Sequence, residues 1–99
     1  MAIDEVFRAL SDPTRRAVVR LLREEGPLTA GEIADRFDLA KSTMSGHFAV
    51  LKQAGLLVVE RQGTRLVYSL SLSVFEETVD AVMELLGGRV LPAKRERKS

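Results

Sequence analysis

The spacing of apolar residues changes at Gly55, and this change limits the folds that are open to the chain. Before Gly55, apolar residues recur every three or four positions, which is the period of an α-helix. After it, two short runs rich in β-branched and aromatic residues, at 57–61 and 66–70, flank a turn at 62–65. A helical first part followed by such a turn predicts a mainly α domain with a small antiparallel β-hairpin.

Two apolar stripes predict the first two helices. Their members are Ile3, Val6, Phe7 and Leu10, and then Ala17, Val18, Leu21 and Leu22. Between the stripes, Asp12 can cap the second helix and Pro13 suits its first turn. Gly26 and Pro27 mark the end of that helix, because neither residue favours its continuation.

A third and a fourth helix are predicted on either side of a short turn at 38–40. Thr29 and Glu32 form a capping box that opens the third helix, and the fourth runs over 41–54 and ends at Gly55. The buried faces are Ile33, Ala34 and Phe37, and then Met44, Phe48 and Leu51. Two helices joined in this way are typical of a helix-turn-helix.

A fifth helix is predicted after the hairpin, from a capping box at Ser73 and Glu76 to Leu86. The order of four helices, a hairpin and a last helix is that of a winged helix-turn-helix. We expect residues 1–88 to form one DNA-binding and dimerisation domain, and residues 89–99 to form a short, flexible, basic tail.

The polar face of the fourth helix is the first candidate for contact with a nucleic acid. No acidic residue lies from Lys41 to Leu57, although a free surface helix normally carries glutamates. Small hydroxyl side chains let a helix N-terminus approach DNA, where its N–H groups favour phosphate and hydroxyls meet base edges. A solvated polar face is the alternative, and His47 is alternatively a packed or capping residue. The candidates on this helix are Lys41, Ser42, Thr43, Ser45, Gly46 and His47.

The hairpin forms the wing of this fold, and its tip is the second candidate for contact with a nucleic acid. Arg61 and Arg65 flank it, a shape suited to placing a basic side chain beside or in the minor groove. Residues 41–65 hold four basic residues and one acidic residue, a local charge of +3, whereas residues 71–88 hold four acidic residues and no basic one, −4. The net charge of +1 conceals this polarity. With double-stranded DNA as the expected partner, the wing candidates are Arg61, Gln62, Thr64 and Arg65.

Two apolar faces on the fifth helix indicate a homodimer. A helix that packs only against its own small domain needs one apolar face. The second face therefore predicts contact with a partner subunit, and the first helix is expected to contribute to the same interface. A two-fold dimer presents two copies of the fourth helix, one to each half of an inverted-repeat operator. The alternative is that both faces belong to the core of one chain. The predicted interface residues are Ile3, Phe7, Leu10, Phe75, Val79, Val82 and Leu86.

Residue types on which many enzymes and metal sites depend are scarce. The 99 residues include no cysteine and one histidine, His47. Disulfides and thiolate sites are therefore excluded, and the usual nucleophile–base pair is missing. We expect no enzymatic activity, no cofactor and no metal. Because neither a secretory leader nor an apolar stretch of about 20 residues is visible, we expect a cytoplasmic protein without membrane insertion.

Four segments resemble a known family. They are 9–16 (ALSDPTRR), 28–34 (LTAGEIA), 41–48 (KSTMSGHF) and 61–63 (RQG). Over roughly residues 6–86 the chain resembles the ArsR/SmtB, or arsenic-repressor, family, and the first two segments are most similar to its SdpR-like branch. The resemblance implies a dimeric repressor that reads DNA with the fourth helix and the wing. The same matching implies that the residues facing DNA include Ser42, Thr43, Ser45 and His47.

The departures from the family pattern concern metal sensing above all. The metal sensors carry a Cys-x-Cys pair where this chain has Thr29, Ala30 and Gly31, and others use histidines on a last helix that here has none. Ala40 stands where a capping hydroxyl is common, and Gly46 where a basic residue is frequent. The comparison implies a repressor that does not sense metal, induced by a protein partner, with a small molecule left open. The alternative function is a winged-helix protein-interaction module without specific DNA binding.

Overall fold

The computed structural model describes residues 3–88, with elements in the order α1-α2-β1-α3-α4-β2-β3-α5. The helices are α1 (Ile3–Leu10), α2 (Pro13–Glu25), α3 (Ala30–Ala34), α4 (Lys41–Gln53) and α5 (Leu72–Leu85). The strands are β1 (Leu28–Thr29), β2 (Leu57–Gln62) and β3 (Arg65–Leu70). The tail predicted at 89–99 lies outside the described residues.

The ends of α2 confirm the sequence-based prediction. The Asp12 carboxylate accepts hydrogen bonds from the backbone amides of Thr14 (2.8 Å) and Arg15 (3.1 Å), and Pro13 occupies the first turn. At the other end Gly26 has a φ of 81°, and its amide donates to the Leu22 carbonyl at 2.9 Å. Both helix ends therefore satisfy backbone groups that an uncapped helix leaves unpaired.

The capping box of α3 is also confirmed, but the helix is shorter than predicted. The Thr29 amide donates to Glu32 Oε1 (2.8 Å), and the Glu32 amide donates to Thr29 Oγ1 (3.1 Å). Phe37, predicted on the buried face of this helix, follows it in a hydrogen-bonded turn closed on Ala34 and still packs against the core. The connection to α4 is longer than the predicted turn because the chain tightens after Ala34 into bonds between residues three apart.

The end of α4 explains the position of Gly55. Its φ is 82°, its amide donates to the Lys52 carbonyl (2.9 Å), and the Leu56 amide donates to the Leu51 carbonyl (3.0 Å). These are the two bonds of a Schellman motif, accompanied by the burial of Leu51 and Leu56. Gly55 therefore ends α4 as predicted and directs the chain into β2.

The sheet has one strand more than predicted. The hairpin is present, with Gln62 opposite Arg65. However, β1 also pairs with β3, so that the sheet is antiparallel with the order β1-β3-β2. A strand of two residues has no alternation to detect, and its partners, Tyr68 and Val67, lie far along the chain. The prediction of a two-stranded hairpin was therefore incomplete.

The start of α5 differs from the prediction. The helix begins at Leu72 with Ser71 as its N-cap, and neither the Ser71 side chain nor a box at Ser73 supplies the cap. The amides of Val74 and Phe75 already bond to the Ser71 carbonyl, so Ser73 lies inside the first turn. The capping box predicted at Ser73 is wrong.

One hydrophobic core joins the helices to the sheet. Its buried residues are Val6, Ala9, Val18, Leu22, Ile33, Met44, Phe48, Leu51, Ala54, Leu56, Leu57 and Tyr68. Within residues 3–88, no helix has the length and apolar character needed to cross a membrane.

Candidate nucleic-acid interface

Three buried side chains fix the orientation of α4. Met44, Phe48 and Leu51 lie in the core, and the Phe48 ring packs against Tyr68 of β3 with centroids 5.2 Å apart. Because these residues recur every three or four positions, they turn the opposite side of the helix to solvent. The exposed residues on that side are Lys41, Ser42, Thr43, Ser45 and Gly46.

The N-terminus of α4 has no side-chain cap. Ala40 is its N-cap residue and makes no capping hydrogen bond, in contrast to Thr29 at the start of α3. The first turn also lacks an acidic residue, so no side chain within it offsets the partial positive charge of the helix end. With Lys41 beside them, these amides can donate to an anionic group such as a phosphate.

Gly46 lies on the exposed side of α4. A Cβ atom built on this residue meets no heavy atom within 4 Å, so packing inside the chain does not require glycine here. Glycine in a helix interior costs roughly 1 kcal/mol relative to alanine. The missing side chain leaves the backbone of α4 open to an approaching molecule.

The wing presents its polar side chains to solvent. Arg61, Gln62, Thr64 and Arg65 are all exposed, and Gly63, with a φ of 66°, permits the tight loop between the strands. Arg65 Nη2 lies 3.7 Å from Glu32 Oε2 on α3. This ion pair is exposed and therefore weak, but it joins the wing to the first helix of the helix-turn-helix.

Glu32 carries a negative charge next to the wing, and this contact was not predicted. The hydrogen bond from the Thr29 backbone lowers the pKa of Glu32, with smaller contributions from the Thr29 side chain and from Arg65. The carboxylate is therefore ionised at neutral pH and offsets part of the charge of Arg65. Local spacing identified Glu32 as a cap, whereas its proximity to Arg65 depends on tertiary structure.

His47 packs against the start of α2. Its side chain is 16% exposed, and Nδ1 lies 3.3 Å from Arg15 Nη1 and 3.9 Å from Asp12 Oδ2. His47 thus differs from its neighbours Ser45 and Gly46, which are exposed. The contact agrees with the alternative interpretation of this residue as packed. Arg15 is a neighbour of α4 that was not predicted.

The predicted interface residues lie on α1 and α5, which pack against each other, except for Leu86, which is the C-cap of α5. Phe7 is 47% exposed, Val79 53% and Leu86 59%. The other members are partly buried: Ile3, Leu10, Phe75 and Val82. On α5, Val74 and Phe75 pack against the core. Val79 of this helix and its C-cap residue Leu86 are large apolar residues that stay exposed in the described part of the chain.

The described part of the chain contains no cluster of three or more histidine, cysteine, aspartate or glutamate residues suited to holding a metal ion. At the start of α3, where the family's thiolate sensors bind metal, the residues are Thr29, Ala30 and Gly31. Hydroxyl, methyl and hydrogen side chains do not bind soft metals.

Comparisons with known proteins define the class. A family model described as a helix-turn-helix domain matches residues 10–60, which contain α2, α3 and α4. The transcriptional repressor SdpR of Bacillus subtilis is 37% identical over 84 residues, which cover 85% of this chain and 92% of that protein. With the hairpin that follows α4, the fold is that of a winged helix-turn-helix transcriptional regulator, a class of proteins that are not enzymes.

Solved structures identify the family. The crystal structure of an ArsR family transcriptional regulator superposes with a TM-score of 0.77 at 31% identity, covering 85% of this chain and 91% of that one. A homodimeric winged helix-turn-helix DNA-binding domain from Mycobacterium bovis, described as a possible ArsR-family regulator, has a TM-score of 0.68 at 26% identity, covering 90% and 81%. The chain belongs to the ArsR family.

Proposed function

We propose that this chain is a transcriptional repressor that binds a specific inverted-repeat operator as a homodimer. One observation carries the proposal: the exposed side of α4 has hydroxyls, a glycine and a lysine but no acid, and its N-terminus is uncapped. A polar helix face that serves only solvation has no need of either feature. SdpR, similar over most of the chain, is a transcriptional repressor.

The proposed contacts fall into three groups. The amides at the start of α4 and Lys41 bind phosphate and set the register of the protein on the duplex. The hydroxyls of Ser42, Thr43 and Ser45 meet base edges in the major groove, where each base pair has a distinct pattern of donors and acceptors. The wing residues Arg61, Gln62, Thr64 and Arg65 contact the backbone or the minor groove beside it.

The homodimer is supported by the apolar surface on α1 and α5. Phe7, Val79 and Leu86 are large apolar residues that remain about half exposed in the single chain. The M. bovis domain of the same fold is homodimeric. A dimer with a two-fold axis has two α4 helices related by that axis. They match an inverted repeat whose half-sites lie about one helical turn apart.

Repression by this dimer needs no chemistry, because a compact protein on a promoter excludes the polymerase. We propose that the inducing signal is not a metal, since Thr29, Ala30 and Gly31 lack the thiolates of the metal sensors. The inducer is then a protein partner or a small molecule.

The test is fluorescence-anisotropy titration of the protein against the region upstream of its own gene and a scrambled duplex, at several salt concentrations. We expect the upstream DNA to bind at least ~10³-fold more tightly, with two chains per site. Equal and steeply salt-dependent binding to both duplexes contradicts specific recognition of this region. No binding at low salt favours a protein-interaction module.

A further inference from the structure

Arg15 lies between α1 and α4 and contacts both. Its Nε donates to the Ala9 carbonyl at 2.7 Å, its Nη2 donates to the Arg8 carbonyl at 3.1 Å, and its Nη1 lies 3.3 Å from His47 Nδ1. Each of the three guanidinium nitrogens therefore has a partner within the protein. The fixed fork of the guanidinium turns these contacts into a rigid connection between helices.

The connection begins at the C-terminus of α1. Carbonyl groups in the last turn of a helix lack partners within the helix, and a cation placed there satisfies them and complements the helix dipole. Asp12 fixes the other end of Arg15 by accepting a hydrogen bond from its backbone amide at 3.1 Å. The same carboxylate caps α2, so Arg15 is held at its backbone by α2 and at its side chain by α1.

The connection ends at His47 on α4. The core residues Met44, Phe48 and Leu51 hold one side of α4, and His47 lies on the flank between that side and the exposed Ser45 and Gly46. When Arg15 donates to Nδ1, this nitrogen is an acceptor, and the neutral ring carries its proton on Nε2. The buried residues fix which side of α4 faces the core, and a contact on the flank further limits small rotations of the helix about its own axis.

We infer that Arg15 and His47 are positioning residues that set the rotation of α4 relative to α1 and so aim its exposed hydroxyls. For DNA recognition the inference rests on the proposed function. Because α1 belongs to the proposed dimer interface, the pair also links subunit pairing to the direction in which α4 faces. His47 thereby serves specificity without reading a base itself.

The first test needs no DNA. Since His47 is the only histidine in the chain, the imidazole ¹⁵N signals of the untagged protein are unambiguous. For the neutral ring we expect the proton on Nε2, with Nδ1 unprotonated and accepting from Arg15. Arg15→Ala should allow exchange between the two tautomers, whereas Arg16→Ala should not. Arg16 is a matched control because it donates to the Leu10 carbonyl of α1 (2.7 Å) without contacting His47. Identical spectra for the wild type and Arg15→Ala overturn the inference.

The second test uses operator and scrambled DNA. Arg15→Ala should weaken operator binding about tenfold, the equivalent of one hydrogen bond with a charged partner, and change binding to scrambled DNA little. Its salt slope should stay unchanged, because Arg15 does not contact phosphate in this arrangement. A slope that falls by about one unit would show that Arg15 binds phosphate directly and would overturn its positioning role.

Two substitutions separate the functions of the histidine nitrogens. His47→Asn places an amide oxygen near the position of Nδ1, and His47→Gln places one near Nε2. We expect Asn to retain operator affinity and Gln to lose it, with thermal melting confirming that both variants fold. The reverse result assigns His47 to direct DNA contact. If the wild type itself does not distinguish operator from scrambled DNA, the proposed function fails, while the imidazole spectra still decide whether Arg15 holds His47.

Discussion

The side formed by α4 and the wing and the side formed by α1 and α5 expose opposite kinds of surface. The first exposes hydroxyls and a glycine on a helix whose other side is firmly buried, and arginines on the wing. The second exposes large apolar residues such as Phe7, Val79 and Leu86, next to an α5 that carries four acidic residues and no basic one. Both surfaces belong to one small domain with a single core.

The difference indicates two kinds of partner. Apolar surface gains most from a partner that stays bound, as subunits of an obligate dimer do. A polar surface on which basic residues outnumber acidic ones can associate with a polyanion and leave it again, because its polar groups are hydrated when no DNA is bound. The acidic α5 adds to this separation, since it disfavours approach of DNA to the side of the proposed dimer interface.

The largest expected effect concerns the apolar surface. Val79→Glu places a charge in the proposed interface, so we expect monomers in analytical ultracentrifugation and a loss of operator affinity of about 100-fold or more, because two half-sites are no longer bound together. Val58 provides the control for oligomeric state, since it is 42% exposed on β2. A Val58→Glu protein should remain dimeric. A dimeric Val79→Glu protein would remove this surface from the proposal.

Next in size is the effect of the hydroxyls on α4. Thr43→Ala and Ser45→Ala should each cost about 1–3 kcal/mol in binding to the operator and little in binding to scrambled DNA, because a lost base contact affects only the matching sequence. Ser73→Ala on α5 is the control and should change neither. Equal losses on both duplexes would reduce Thr43 and Ser45 to backbone contacts.

The wing should contribute charge rather than sequence preference. Arg65→Ala is expected to weaken binding to most sequences and to lower the salt slope by about one unit. Glu32→Gln is the matched variant, because glutamine preserves the capping box while it removes the charge that faces Arg65. We expect it to strengthen binding slightly. A salt slope that does not change in Arg65→Ala would exclude the wing from the interface.

A substitution at Gly46 is expected to change the stability of the protein and its operator affinity in opposite directions. Because a Cβ atom meets nothing there, Gly46→Ala should stabilise the protein by about 1 kcal/mol in denaturant unfolding. Gly63→Ala, at a φ of 66°, should instead destabilise it. We expect Gly46→Ala to bind the operator less tightly despite its higher stability. An unchanged operator affinity would show that DNA does not contact α4 at Gly46.

The smallest effect is expected from metals. Excess zinc or arsenite should change operator affinity by less than about twofold, below the roughly fivefold at which allosteric coupling typically begins. Anisotropy titrations with and without the metal, with a chelator as control, measure this directly. A larger decrease would show a metal site that the described residues do not reveal.

Local patterns in the sequence were sufficient for most of the fold. Asp12, Thr29 and Gly55 act within a few residues of themselves, so their capping functions could be predicted from spacing and were confirmed. The box predicted at Ser73 is wrong although Ser73 has a glutamate three residues further on, because the helix begins earlier, at Leu72, and its first backbone bonds go to the Ser71 carbonyl.

The remaining errors concern contacts between distant parts of the chain. Strand β1 is too short to show a period, and its pairing with β3 depends on how α3 and α4 fold between them. The pairs Arg65–Glu32 and Arg15–His47 likewise join residues about 30 positions apart. The exposed set on α4 was predictable because helical geometry alone places it opposite the buried anchors. The direction of the His47 side chain could not be predicted, because a residue on the flank of a helix can face either the protein or the solvent.

The pairing of β1 with β3 also has a consequence for the order of folding. Strands β2 and β3 are joined by a tight turn, so their pairing closes a short loop quickly, whereas β1 must close a loop of about 40 residues at a larger entropic cost. Thr29 belongs to β1 and also caps α3, so this late closure connects the helix-turn-helix to the wing. A partly folded subunit can thus contain a formed α4 and a formed hairpin that do not yet have their final relative position. The two reach that position together when β1 pairs with β3.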